Sequence, residues 1–238
     1  MSEATPTPKF KLYHYPATRS ARVKWMLHEV LGEDFEVEKV PLYEGRQYEP
    51  EYLSINPNHC VPTLEITLPD GSRRHMLESG AIVTFLADAF PEKRLAPSPS
   101  PLSIERADYL QMIFFGASWM DMMLWQVRIQ EHLLSDDEKD ARSLQRYRNK
   151  FRNEVEPQLR QRFETHSFIC GDSFTAADCI IGHNVTWARA YGLCQDEIFR
   201  AYLSRVSKRP AFVAAFADAR SFQANPPDSG PLRSRFTG

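Results

Sequence analysis

The sequence has little cysteine: Cys60, Cys170, Cys179 and Cys194 stand alone, with no CxxC pair and no zinc-type spacing. That excludes a disulfide-stapled scaffold and a structural metal site, and reduced thiols in a cytoplasmic protein are the plain expectation. Charge of one sign is also lacking, with 29 Lys and Arg against 31 Asp and Glu for a net charge of -2. No bulk attraction for nucleic acid or anionic lipid follows, so neither partner is expected. No apolar run approaches the roughly 20 residues that span a bilayer. The opening residues, MSEATPTPKFKLY, lack the basic start and apolar stretch of a secretory leader, so none is expected. What is present is a chain of 238 residues, 42% hydrophobic, long enough for one large or two small domains, each with its own core.

The first third alternates strand and helix patterns. KFKLYHY sets Phe10, Leu12 and His14 against Lys11, Tyr13 and Tyr15, which predicts a strand. Residues 20–31 place Val23, Met26, Leu27, Val30 and Leu31 on one helical face, ending at Gly32. DFEVEKVPL predicts a second strand, with Phe35, Val37 and Val40 alternating with charges, and residues 43–55 predict an irregular or weakly helical stretch. VPTLEITLPDGSRRHML is a strand, a Pro-Asp-Gly turn and a strand, the pattern of a β-hairpin. ESGAIVTFLADAF then has helical spacing at Ala81, Ile82, Phe85, Leu86 and Ala89. The order is βαβ–ββα.

Prolines in FPEKRLAPSPSPLS forbid a continuing helix, so residues 91–103 read as a linker. This divides the chain into an α/β domain over 8–90, an all-helical domain over 104–222 and a tail over 223–238. Within the helical part, 104–134 is rich in Met and aromatics. Ser135 and Glu138 have capping-box spacing for a second helix, and FTAADCIIGHNVTWARAY predicts a buried third helix. Thr175 and Asp178 form its capping box, with Phe174 as an apolar staple. Two shorter helices are expected near 195–208 and 210–220.

Three short stretches bear on chemistry. In CVPTL, Pro62 stands directly before a strand and supplies no ladder N–H. The bond at Val61–Pro62 is either a trans opening of the strand, favoured by proline statistics alone, or a cis turn that leaves the Val61 N–H and C=O free for a peptide backbone. In LESGAI, Ser79 is either a helix cap or, with its N–H, a carboxylate receiver beside Glu78, which would hold an ammonium group. In YPATRSARV a strand hands over to a helix start at Thr18, Arg19 and Ser20, where an anion would be favoured.

Taken together, these stretches in this order, with the GDSFTAADCIIGH segment, resemble the cytosolic glutathione transferases over residues 9 to about 220, and a serine/threonine-type, bacterial or fungal-like branch among them. The resemblance implies a thioredoxin-like N-terminal domain, an all-helical C-terminal domain, a homodimer, and glutathione as co-substrate with no metal. It implies that Val61 binds the cysteinyl unit through its main chain, that Pro62 is cis, and that Glu78 and Ser79 grip the γ-glutamyl group. Cys60 occupies a position where many relatives have Lys, Gln or Arg. His59 beside it and Arg46 are then the choices for the glycyl carboxylate. The implied activity is conjugation of glutathione to apolar electrophiles. A glutathione-dependent disulfide or peroxide reductase and a non-catalytic binding protein are the alternatives.

A free thiol has a pKa near 8.5, so only about 3% is thiolate at pH 7. Lowering it by about two units requires roughly 2.7 kcal/mol of preferential stabilisation of the anion. One charge-assisted hydrogen bond supplies about 1.5–3 kcal/mol. Counting back five residues from Arg22–Val23, where serine-type branches of the family carry their donor, gives Ala17, which has no hydroxyl. Thr18 is therefore the first choice of donor and Ser20 the second, each weighed equally against service as a helix cap, with Arg19 adding electrostatic help. Tyr13 and Tyr15 are out of clear register with the tyrosine-type branches. For the second substrate, Met112, Phe115 and Trp119 lie at helical spacings in FFGASWMDMMLWQ, where core packing is the commoner meaning of such a stripe. Gly116 and Ser118 would leave room for a ligand, and Trp187 and Tyr191 are expected in the core.

Overall fold

The computed structural model describes residues 8–227, so residues 228–238 of the expected tail lie outside the described residues. The α/β part runs β1 (Lys9–His14), α1 (Ser20–Leu31), β2 (Glu36–Lys39), α2 (Pro50–Ile55), β3 (Thr63–Thr67), β4 (Arg73–Met76) and α3 (Ser79–Ala89). The strands form one mixed sheet in the order β2-β1-β3-β4. β1 pairs parallel with β2 and antiparallel with β3, which pairs antiparallel with β4. This is a thioredoxin-like arrangement. α1 is the crossover that a parallel β1–β2 pair requires.

Two features differ from the alternation in the sequence. β1 buries both faces: Phe10, Leu12 and His14 on one, Tyr13 on the other, and Tyr15 just beyond the strand. Tyr13 and Tyr15 cluster with Val40, Tyr52 and Val61, so the strand is covered on both sides by its own neighbours. β2 is the reverse case. It is an edge strand exposed at all four residues, and Val40 just beyond it is buried and anchored by its N–H to the His14 carbonyl.

The helical part runs α4 (Ile104–Phe114), α5 (Asp121–Arg128), α6 (Ala141–Lys150), α7 (Glu156–Thr165), α8 (Ala176–Ala190), α9 (Glu197–Val206) and α10 (Pro210–Ala215). Wider π-type turns at Phe115–Met120, Ile129–Leu133 and Phe151–Val155 carry the chain out of α4, α5 and α6. Gly116 allows the first of these to lie against α8, because a Cβ there would stand 2.6 Å from Ile180 Cγ2 and 2.9 Å from Ile181 Cδ1. Its small size thus serves helix packing rather than ligand space. Ser135 and Glu138 do bond to each other, but in a turn, and α6 begins later with Asp140 accepting from the Arg142 N–H. The Thr175–Asp178 capping box forms at α8. Asp178 also accepts from Tyr202 and from the Ile169 N–H.

α1 joins the two parts. Trp25, fully buried, packs edge-on against Phe212 of α10 and sits over Gly182 of α8, where a Cβ would meet its ring at 3.1 Å. Arg22 has no exposed surface. Its guanidinium holds Asp121 at 2.9 and 3.3 Å, Asn184 Oδ1 at 2.6 Å and His183 Nδ1 at 2.9 Å. α3 buries Ile82, Val83, Leu86 and Ala87, which rotates the expected face: Ala81, Phe85 and Ala89 are exposed.

Candidate active site

The turn from β1 into α1 faces two adjoining cavities. The smaller, of about 400 Å³, lies between the β3 entry and the α3 start, lined by Asn56, Val61, Pro62, Glu78, Ser79 and Asp121 among others. The larger, of about 570 Å³, is walled by Tyr15, Tyr43, Trp125, Trp187, Tyr191 and Phe222, with Thr18 and Ala17 at its floor. Arg19, Asn58, Cys60, Val61 and Trp125 line both, so the cavities meet there.

The smaller cavity is built by the loop that leads into β3. Asn56, buried, donates from Nδ2 to the Cys60 carbonyl at 2.8 Å and to Thr63 Oγ1 at 3.0 Å, and Tyr52 donates its hydroxyl to the same carbonyl at 2.7 Å. These bonds fix the chain at Val61, and the Val61–Pro62 bond is cis. Neither the N–H nor the C=O of Val61 has a backbone or side-chain partner among the described residues. Opposite, Glu78 adopts φ 68° and Ser79 opens α3. No side chain caps this helix. Ser79 is the first helical residue, its N–H unused by a cap, its hydroxyl receiving a long 3.5 Å contact from Arg22. Two free backbone groups, an acidic side chain and an open helix start thus converge on one groove, a set suited to an extended peptide with a zwitterionic end.

The hydroxyls near α1 are not equivalent. Ser20 is fully buried, and its Oγ is surrounded by the Tyr15 N–H at 3.1 Å, the Tyr15 carbonyl at 3.0 Å, His14 Nδ1 at 2.7 Å and Thr18 Oγ1 at 2.8 Å. It lines neither cavity, which removes it as a direct donor to a ligand. Thr18 lines the larger cavity and bonds to Ser20 and to the Tyr15 carbonyl at 2.8 Å. Arg19 is turned to Asp121, at 2.6 Å, and its guanidinium lies over Trp125 and Trp187. Burial pushes Asp121 up, and the Arg22 and Arg19 guanidiniums overrule it, holding the carboxyl below its ordinary value. His183, pushed down to about 3 by burial and then by Arg22, stays neutral at the cavity wall.

Several expected positions fall elsewhere. Arg46 pairs with Glu49 and Glu51 and lines neither cavity, because both acidic partners lie within five residues on the same exposed turn. Its neighbours Gln47 and Tyr48 line the larger cavity instead. Met112 is buried in the core, Phe115 packs against that core, and Trp119 is exposed beneath Lys150. None of the three lines either of these two cavities. Tyr191 is buried and Trp187 packs against the core as expected, and both also wall the larger cavity, because α8 buries its first three turns and presents its last to the cleft. The His59 ring lies 5.0 Å from that of Tyr48 at a tilt of 34°, and His59, at φ 44°, lines the larger cavity. Cys60 reaches both cavities, its thiol pushed up by burial. Tyr13 donates to Glu65 on the far side of β1, whereas Tyr15 stands in the cavity wall. Asn56, His14 and Asp121 carry no local motif that sequence reading would single out.

Among the described residues no group of three or more His, Cys, Asp or Glu is placed to hold a metal ion, and no helix is long and apolar enough to cross a membrane.

Known proteins resemble the chain in sequence and in fold. Residues 18–89 match the family profile described as "Glutathione S-transferase, N-terminal domain". The disulfide-bond oxidoreductase YfcG of Escherichia coli (strain K12) is 27% identical over 218 residues, 88% of this chain and 95% of that protein. A glutathione transferase from Burkholderia graminis, solved with two glutathione molecules bound per subunit, is 25% identical at a TM-score of 0.76, covering 90% of both chains. A glutathione transferase from Phanerochaete chrysosporium, solved in complex with oxidized glutathione, matches at a TM-score of 0.76 and 25% identity over 90% of this chain and 97% of that one. With its thioredoxin-like sheet and its helical second part, the chain has the fold of these glutathione transferases, and its residues 18–89 match the N-terminal domain of glutathione S-transferases.

Proposed function

We propose that the chain binds glutathione in the smaller cavity and delivers its thiolate into the larger one, where a second substrate is attacked. The observation that carries this reading is the groove itself. The unpaired Val61 main chain lies beside a cis proline, facing Glu78 and the start of α3. In this reading Val61 pairs with the cysteinyl unit, Glu78 takes the ammonium of the γ-glutamyl end, and the Ser79 N–H and hydroxyl take its carboxylate. The sulfur then sits where the cavities meet, by Thr18. The α/β part (8–90) holds the tripeptide, the helical part (104–222) supplies the second-substrate walls, and residues 91–103 connect them.

Conjugation to an electrophilic carbon is the first reading of the chemistry. The aromatic walls from Tyr15, Tyr43, Trp125 and Trp187 exclude water and suit an apolar electrophile. A carbon–sulfur bond forms and the leaving group departs with its electron pair.

Disulfide exchange is a second reading with its own support. Among the described residues no Asp or Glu lines the larger cavity, whereas Arg19, Arg128, His59, His132 and His183 do, and a carboxylate-bearing disulfide would meet no like charge from them. The thiolate would attack one sulfur, forming a new S–S bond, and the other sulfur would leave as thiolate. The E. coli relative's name describes such an oxidoreductase.

Titration calorimetry with glutathione, followed by turnover of a chloronitroarene and of a small disulfide, separates the readings. Arene turnover supports conjugation, disulfide turnover alone supports exchange, and no binding refutes both.

A further inference from the structure

Behind Thr18 lies a continuous polar chain that reaches Asp218 in the helical part. Asp218 Oδ2, on the segment following α10, is 3.0 Å from His14 Nε2. His14 Nδ1 is 2.7 Å from Ser20 Oγ, and Ser20 Oγ is 2.8 Å from Thr18 Oγ1. His14 and Ser20 are buried, and of the four side chains Thr18 alone lines the larger cavity. A carboxylate, an imidazole and two hydroxyls in series connect the helical half of the molecule to the cleft floor. We propose that Asp218, His14 and Ser20 form a proton wire ending at Thr18, which carries the proton of a cleft-bound thiol to His14. The proposal rests on the glutathione reading for the identity of that thiol.

The direction of each bond follows from which groups can donate. Asp218 is ionised, held at about 2: burial opposes the charge, and the bonds from His14 and Lys24 outweigh burial. A carboxylate only accepts, so His14 Nε2 carries a hydrogen. Burial, the largest effect on His14, disfavours its charged form, and Lys24 and Lys39 act in the same direction. Asp218 acts in the opposite direction. These are the charged groups that face the ring, Lys24 from α1 on the same carboxylate oxygen at 2.8 Å and Lys39 from β2. With Nε2 protonated and the ring neutral, Nδ1 is an acceptor, and the Ser20 proton goes to it at 2.7 Å or to the Tyr15 carbonyl at 3.0 Å; the wire runs when it faces Nδ1. Ser20 Oγ then accepts from the Tyr15 N–H, and from Thr18 when the Thr18 proton turns to it. The single Thr18 proton points inward, to Ser20 or to the Tyr15 carbonyl; one lone pair takes a long 3.4 Å contact from the Ser20 N–H, and the other is left for the cleft.

A thiol S–H in the cleft can therefore donate to Thr18. Transfer proceeds by relay: Thr18 gains the thiol proton and passes its own to Ser20, which passes its own to His14 Nδ1. The products are a thiolate and an imidazolium with both ring nitrogens protonated, one facing Asp218, the neighbour that favours the ring's charge against burial, Lys24 and Lys39. Every bond between the thiol and His14 has then reversed, the His14–Asp218 bond keeping its sense, and Thr18 now donates to the thiolate. One hydroxyl serves first as acceptor and then as donor, and no proton is lost to solvent. His14, Ser20 and Asp218 are positioning residues, since they act on the thiol through Thr18.

The test uses the wild-type protein and a pair of ligands. Glutathione and S-methylglutathione fill the same groove, and only the first has a thiol proton to give. Calorimetry establishes binding, ultraviolet absorbance reports the thiolate, and nitrogen NMR of the His14 ring reports its protonation. The expected result is an imidazolium signal with glutathione that is absent with S-methylglutathione. His14→Gln, which cannot accept a proton, and Asp218→Asn at the half-exposed end of the wire should both leave about tenfold less bound thiolate at neutral pH. Bound glutathione that is thiolate while His14 stays neutral, or that never ionises more readily than free glutathione, overturns the wire. So does an unchanged thiolate fraction in both variants, and Asp218→Asn preserves that arm if the buried substitution fails to fold. Absence of any glutathione binding refutes instead the reading on which the wire rests.

Discussion

Replacing Asp121 with Asn is the most informative single perturbation, because this carboxylate neutralises a guanidinium that has no solvent of its own. Arg22 is fully buried, and Asp121 is its only anionic partner among the described residues. Breaking a buried pair by removing one member costs about 3–5 kcal/mol. Asn184 Oδ1 at 2.6 Å and His183 Nδ1 at 2.9 Å remain as neutral acceptors, which places the cost at the lower end, about 3 kcal/mol. In a chain of this size each kcal/mol moves Tm by about 2–4 °C, so circular dichroism melting should show a fall of about 6–12 °C. The pH dependence has a definite sign. The folded carboxyl of Asp121 lies below its unfolded value, so its stabilisation is complete above the unfolded pKa of about 4 and is lost as pH falls through the folded value. The gap between wild type and variant should therefore persist from pH 8 to 5 and close in acid. A double change, Arg22→Met with Asp121→Leu, should recover most of the loss, since it removes both buried charges together. Asp121→Asn melting within 2 °C of wild type at pH 7 would refute the reasoning.

Three further outcomes follow from the same geometry. Gly116→Ala places a methyl 2.6 Å from Ile180 Cγ2, and the overpacking should cost about 1–3 kcal/mol, read by denaturant midpoint. Glu78→Gln should weaken glutathione about 10- to 100-fold by calorimetry, as loss of a charge-assisted bond of about 1.5–3 kcal/mol implies, with little change in melting because Glu78 is exposed. Thr18→Val should raise the pKa of the bound thiol by about one to two units while Thr18→Ser leaves it near wild type, measured by ultraviolet titration of the complex.

The fold was legible where a local rule has one strong solution. The 3.6-residue pattern of 20–31, the Pro-Asp-Gly turn at 69–71 and the Thr175–Asp178 capping box each specify a conformation within a few residues, and each forms. Legibility failed where tertiary neighbours choose. Both faces of β1 are covered, so the alternation of Tyr13 and Tyr15 with Phe10 and Leu12 says nothing of solvent. Ser135 and Glu138 make the expected bonds without opening a helix. Arg46 has the right charge for a carboxylate but finds Glu49 and Glu51 first. The Met112, Phe115 and Trp119 stripe shares helical spacing with any core face, and which face meets the cleft is set by the π-type turn and its contact with α8. His14 and Asp218 stand 204 residues apart, and no sequence pattern links them.

The claim on which the account stands is that an extended tripeptide lies along Val61. A crystal structure of the protein with glutathione tests it directly. The cysteinyl N–H and C=O should pair with the Val61 main chain, with the amino-acid end at Glu78 and Ser79 and the sulfur within hydrogen-bond reach of Thr18 Oγ1. A tripeptide bound elsewhere, or one whose sulfur points away from Thr18, would contradict it.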